Sequence, residues 1–140
     1  MRAALVGPEL IRKHWKRPRG GRRTTLFKSG ASSMNPEIYQ PSIEACDACA
    51  AACDRCASAC LDEPGPVNMA KCIRLNADCA SLCRLTSAAL ARQSHFAPEF
   101  CELCARICDE CADECARHAP EHCGACSDAC RRCAEACREI

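Results

Sequence analysis

From residue 42 onward, polar and apolar positions follow one rhythm. Residues 46–60 read CDACAAACDRCASAC, residues 101–115 read CELCARICDECADEC, and residues 123–137 read CGACSDACRRCAEAC. Each is C-x2-C-x3-C-x2-C-x3-C. Alternating steps of three and four are the a and d spacing of a heptad, so every cysteine in a segment falls on one helix face. The positions between hold Ala, Asp, Glu and Arg, which favour helix and suit its outer face. A fourth segment keeps the register but changes the content: Met69, Cys72, Asn76, Cys79, Cys83, Thr86 and Leu90.

Punctuation sets the predicted boundaries. Ser42 is placed to cap a first helix ending near Leu61, after a short turn over Asn35–Tyr39 and Pro41. LDEPGPV is a tight link to a second helix from about Val67 to Gln93. SHFAPEF breaks that helix, and Pro98 suits the first turn of a third, ending near Arg117. A short HAP link leads to a fourth helix from Pro120 to about Arg138. Short links between four helices predict an all-α, antiparallel up-down-up-down four-helix bundle with a cysteine-lined core.

Composition changes what that core is made of. Eighteen of 140 residues are Cys, while aromatics amount to one Trp, one Tyr and three Phe. Large aliphatics are also thin after residue 42, so an ordinary oily core is hard to assemble. A core of small thiols alone is under-packed. Neighbouring cysteines on one stripe point along similar directions and fit a disulfide poorly. The C-x2-C-x2-C-x3-C run of iron–sulfur proteins is missing.

The net charge of +1 hides an asymmetry. Residues 1–33 hold nine Lys/Arg and one acid; subtraction from 19 and 18 leaves ten bases and seventeen acids in residues 34–140. The first stretch reads as a basic disordered leader or a mis-assigned start, with Met34 opening the bundle domain, 34–140. Its charge suits nucleic acid but its lack of stacking aromatics does not, so no nucleic-acid partner is expected. Arg22-Arg23 resembles a twin-arginine export fragment, yet SGASSMNPE follows and supplies no apolar segment. No apolar run approaches the roughly 18 residues that span a membrane. The expected location is cytoplasmic, where reducing conditions favour metal or redox roles for cysteine over disulfides.

Charge then selects the metal. Thiolates are the ligating form. Four thiolates around one Zn²⁺ keep a charge of −2, so filling eighteen that way buries about −8 to −10, a costly load in a low-dielectric core. A soft monovalent ion at about one per thiolate gives near neutrality, and Cu(I) is that ion. Cysteines three or four apart have Cβ atoms about 5–6 Å apart. Two sulfurs at roughly 2.3 Å from one metal span a similar distance. The expected cofactor is Cu(I), multiple ions per chain, on Cys46, Cys49, Cys53, Cys56, Cys60, Cys72, Cys79, Cys83, Cys101, Cys104, Cys108, Cys111, Cys115, Cys123, Cys126, Cys130, Cys133 and Cys137.

The two ends of the bundle differ. One collects Cys60, Met69, His118 and His122, with Cys115 and Cys123 just inside; thioether and imidazole bind Cu(I) without losing a proton at neutral pH, so copper is expected to pass here. Met69 is also open to a helix-start packing role, and both histidines to surface positions in a tight turn. The other end collects Ile43, Leu90, Phe96 and Phe100 as an apolar plug. Asn76 is expected to face the core as a spacing device. Tyr39 is expected outside the bundle or at a subunit contact, and His95 in a solvated loop.

The repeated stripes, the opening NPEIYQPSIEAC and the Met/His end resemble the bacterial copper storage proteins, in their cytosolic branch. The resemblance covers about residues 34–140. It implies a four-helix bundle, homotetrameric in the family, that stores Cu(I) along its inside. A copper-donating chaperone or thiol is the expected donor. The runner-up is metallothionein-like buffering of zinc or mixed soft metals. A DNA-binding copper sensor has only the basic stretch in its favour. No enzyme is expected: the C-x-x-C pairs lack the βαβ setting of a thioredoxin, and the thiol-lined interior leaves no open metal position.

Overall fold

In the computed structural model, which describes residues 36–140, four helices carry the four stripes. A 3-10 turn at Pro36–Tyr39 leads into α1 (Gln40–Asp62), and another at Pro66–Met69 leads into α2 (Ala70–Ala91). Helices α3 (Ala97–Cys115) and α4 (Glu121–Arg138) follow. Helices adjacent in sequence pack together and α4 closes against α1. The result is the expected antiparallel four-helix bundle, with no strand among the described residues. The basic stretch 1–33 lies outside the described residues.

The helix starts depart from the sequence reading. Helix α1 begins two residues before Ser42, because Pro41 fits the first turn, where its missing N–H is no loss. Ser42 therefore caps nothing. It is buried, and its hydroxyl donates to the Ala136 carbonyl of α4 at 3.0 Å. Helix α2 proper begins at Ala70 rather than Val67, since Gly65, at φ 77°, turns the chain and Pro66–Met69 tightens into a 3-10 turn.

The α2 terminus is a Schellman motif built on a non-glycine. Gln93 has φ 52°. Its N–H reaches the Leu90 carbonyl at 2.9 Å, and the Ser94 N–H reaches that of Ala89 at 2.8 Å. These bonds satisfy carbonyls that a helix end otherwise orphans. They also end the helix at Ala91, two residues before the predicted Gln93. Helix α3 stops at Cys115, ahead of Arg117, and Pro98 sits in its first turn as expected.

Hydroxyls tie the helices across their seams. Ser127 of α4 donates to the Ala112 carbonyl of α3 at 3.0 Å, and Thr86 of α2 to the Phe100 carbonyl at 3.4 Å. Exposed ion pairs join α2 to α1 (Arg84 with Asp54) and α4 to α3 (Arg138 with Asp109, Arg131 with Asp113). Such pairs contribute at most about 1 kcal/mol each, so the interior decides stability.

The closed end differs in one residue from the predicted plug. Leu90 is fully buried, Ile43 and Phe100 are half-buried, but Phe96 is 59% exposed at the α3 N-cap, its ring edge-on to His95. Tyr39 and Ile140 take up the covering role, packing against the core from the chain termini of the bundle. Tyr39 is thus partly buried against the core rather than wholly outside it.

Candidate metal centre

In register, the inward positions of the four helices form five layers. From the end where α1 finishes, which we call the mouth, they are Cys60, Cys72, Cys115 and Cys123; then Cys56, Asn76, Cys111 and Cys126; then Cys53, Cys79, Cys108 and Cys130. Cys49, Cys83, Cys104 and Cys133 come next, and Cys46, Thr86, Cys101 and Cys137 close the set. Twenty positions hold eighteen thiols plus Asn76 and Thr86, the two places where α2 departs from the repeat.

All eighteen cysteines are buried and none is in a disulfide. Their sulfurs touch along and across the helices. Cys49 Sγ lies 4.0 Å from Cys53, 3.8 Å from Cys79, 3.9 Å from Cys108 and 3.6 Å from Cys130. Groups of four Sγ atoms fall within 4.8 Å of one another, among them Cys46/Cys104/Cys133/Cys137, Cys53/Cys111/Cys126/Cys130 and Cys56/Cys60/Cys72/Cys123. Two sulfurs on one soft ion at roughly 2.3 Å each need about that separation. Cys49, Cys53, Cys130 and Cys133 each belong to two such groups. Shared sulfurs can therefore bridge ions into clusters.

Burial sets the protonation of the thiols near the mouth. It pushes Cys72 up, and Cys123 up to about 12, since a buried thiolate is poorly solvated. The Cys101 thiol at the closed end is also raised, by its hydrogen bond with Cys137 and then by burial. These three thiols thus keep their protons at neutral pH in the metal-free protein, and a cation that binds them must displace those protons.

The mouth gathers the non-thiol donors unequally. His122 Nδ1 lies 3.6 Å from Cys56 Sγ and 3.5 Å from Cys123 Sγ, while its Nε2 faces Glu63 Oε1 at 3.0 Å. That is the arrangement in which a carboxylate orients a metal-binding imidazole. His118 is one turn above Cys115, and its Nε2 is 3.4 Å from Glu114 Oε1 rather than against a sulfur. Met69 is buried in the core cluster. The structure thus brings His122 directly to the thiols and keeps His118 at the rim.

Two carboxylates here were not among the sequence-derived candidates. Glu114 is buried, paired with Lys71 Nζ at 2.7 Å and with Arg117 at 3.6 Å. The Lys71 ammonium holds its carboxyl below the usual range. Its spacing of four from His118, just past the end of α3, was a legible signal. Glu63 lies in the α1–α2 link, and only the fold carries it to His122.

Asn76 faces the core, as expected, and fully buried. Its Nδ2 donates to Cys72 Sγ at 3.3 Å, and its Oδ1 accepts from Cys126 at 3.0 Å and Cys111 at 3.3 Å. No buried side-chain nitrogen or oxygen among the described residues lacks a partner.

Comparison with known proteins agrees with this site. The copper storage protein family matches residues 35–140. An uncharacterized cysteine-rich protein of Bacillus subtilis is 45% identical over 82 residues, covering 59% of this chain and 76% of its own. The Cu(I)-bound copper storage protein BsCsp3 superposes with a TM-score of 0.71 at 43% identity, covering 74% of this chain and 97% of its own. The Streptomyces lividans copper storage protein loaded with 10 copper equivalents gives 0.73 at 40% identity, covering 81% and 91%. With the match spanning the whole bundle and the thiol layers intact, the chain belongs to the copper storage protein family.

Proposed function

We propose that this protein stores many Cu(I) ions on its core thiolates, as intracellular copper storage and detoxification in the cytoplasm. The observation that carries it is the burial of eighteen free thiols in overlapping four-sulfur groups. Monovalent copper neutralises such a core at about one ion per sulfur, whereas zinc leaves excess negative charge. Anaerobic Cu(I) titration against a competing chelator tests it. Binding should continue to a number near the thiol count. Saturation at about four or five Zn²⁺, with no preference for copper in competition, would favour metallothionein-like buffering instead. A sensor would stop after one to four ions. Storage is a binding role, and we assign the site no reaction.

Copper passes, in this reading, at the mouth through Met69, His118 and His122. The buried thioether and the imidazole beside Cys56 and Cys123 support it. Replacing His118 and Met69 together by Ala should slow copper uptake several-fold while leaving final capacity within one or two ions of the original. Stopped-flow uptake kinetics identical to the parent would reject that route. The donor is a copper chaperone or a small thiol. No helix among the described residues is long and apolar enough to cross a membrane. The family resemblance implies a homotetramer. Exposed Leu85 and Leu103, beside half-buried Leu82 and Ile107 on the α2–α3 face, are apolar surface of the kind that subunits cover.

A further inference from the structure

Glu63 owes its conformation to the residue after it. Pro64 cannot continue the helix, and it disfavours helical backbone in the residue it follows. Glu63 therefore closes α1 in an extended conformation, with φ −73° and ψ 148°. Gly65 then turns the chain toward α2 at φ 77°. This short link carries a carboxylate across the mouth to α4. Glu63 Oε1 accepts from His122 Nε2 at 3.0 Å, and the two side chains are 31% and 24% exposed. Both line an open cavity of about 620 Å³ with Pro120, Glu121 and Ala125, so a copper donor can reach them.

A carboxylate only accepts, so Nε2 carries the proton and Nδ1 of the neutral ring keeps its lone pair. Nδ1 lies 3.6 Å from Cys56 Sγ and 3.5 Å from Cys123 Sγ, and those sulfurs are 3.8 Å apart. The three atoms make a nearly equilateral triangle. Its mean side divided by √3 puts a metal at the centre about 2.1 Å from each corner, against roughly 2.0–2.1 Å for a bond to imidazole and 2.3 Å to thiolate. The triangle needs to open only slightly to hold one soft ion. A half-turn of the ring about Cβ–Cγ would set Cδ2 against the sulfurs and Cε1 against Glu63. The carboxylate therefore selects the orientation that offers copper a lone pair.

We propose that Glu63 is a positioning residue: it fixes the His122 ring so that arriving copper meets Nδ1 together with the Cys56 and Cys123 sulfurs. The inference rests on the copper-storage reading and adds to it a task for the α1–α2 link. As copper binds, each thiol gives its proton to solvent, Nδ1 gives none, and copper stays Cu(I).

Nitrogen NMR of the metal-free protein, labelled at histidine, reads the ring directly. Wild-type His122 should show a single form with its proton on Nε2, and Glu63→Ala should show both tautomers. A proton on Nδ1 in wild type overturns the proposal, whether or not any variant folds. So does the same single form in Glu63→Ala. Affinity for the first Cu(I) equivalent is then measured anaerobically against bicinchoninate. Glu63→Ala should weaken it by about 10–100-fold, the usual cost of losing such a partner, with final capacity unchanged. Glu63→Gln, whose carbonyl still accepts from Nε2, should recover most of the loss. Asp62→Asn removes an exposed charge from the same link and should bind as wild type does. In a His122→Ala background, Glu63→Ala should cost nothing further, because the two residues act as one unit. No loss in Glu63→Ala, no recovery in Glu63→Gln, an equal loss in Asp62→Asn, or a full further loss in the His122→Ala background overturns the proposal. A protein that binds no Cu(I) fails the storage reading instead, and the nitrogen spectrum still decides on Glu63.

Discussion

Filling the metal-free bundle with Cu(I) is expected to raise its melting temperature by more than about 20 °C. The ligands come from all four helices, and only the folded chain brings them together. Each ion that binds the folded state and not the unfolded one adds about 4 kcal/mol when free copper stands a thousandfold above its dissociation constant. For a domain of this size 1 kcal/mol moves the midpoint by about 4–8 °C. A handful of ions therefore suffices. The metal-free state starts from a weak position, because its core is thiols and alanines, with Leu90 the one fully buried large aliphatic side chain among the described residues. Differential scanning calorimetry of anaerobic loaded and metal-free samples gives the result directly. Coincident melting curves would mean that copper sits outside the core.

The bundle was legible because one rule, inward cysteine at steps of three and four, repeats in three helices and survives in α2 as a register with altered content. The same periodicity placed Asn76 inside, since position 76 falls where the other helices carry Cys56, Cys111 and Cys126. What it could not supply was direction and pairing. Asn76 touches four sulfurs from two helices besides its own, which depends on how the layers face one another. Ser42 read as a cap because sequence shows a hydroxyl after a proline, not the Ala136 carbonyl opposite it. Phe96 read as a plug residue because apolar character is visible in sequence, while its place at the turn of a helix start is not. Glu63 and His122 are 59 residues apart and meet only through the bundle's end.

Copper affinity should fall steeply on acidification, by about tenfold per ion for each pH unit below neutrality, if each ion displaces one proton. The bound form of each sulfur is the thiolate, whereas in the empty protein burial raises Cys72 and lifts Cys123 to about 12. At pH 7 such thiols hold their protons, so copper and proton compete for the same atom. The sign is fixed: lowering pH favours the proton, raising it favours copper, and the gain levels off only where the free thiols themselves ionise. Chelator competition at several pH values between 6 and 8, corrected for the chelator's own protonation, measures the slope, and a pH-stat counts the protons released on loading. A flat profile would mean that copper binds groups with no proton to lose. The buried Met69 thioether is one such donor, so copper held at the mouth and copper held on the thiol layers should differ in slope.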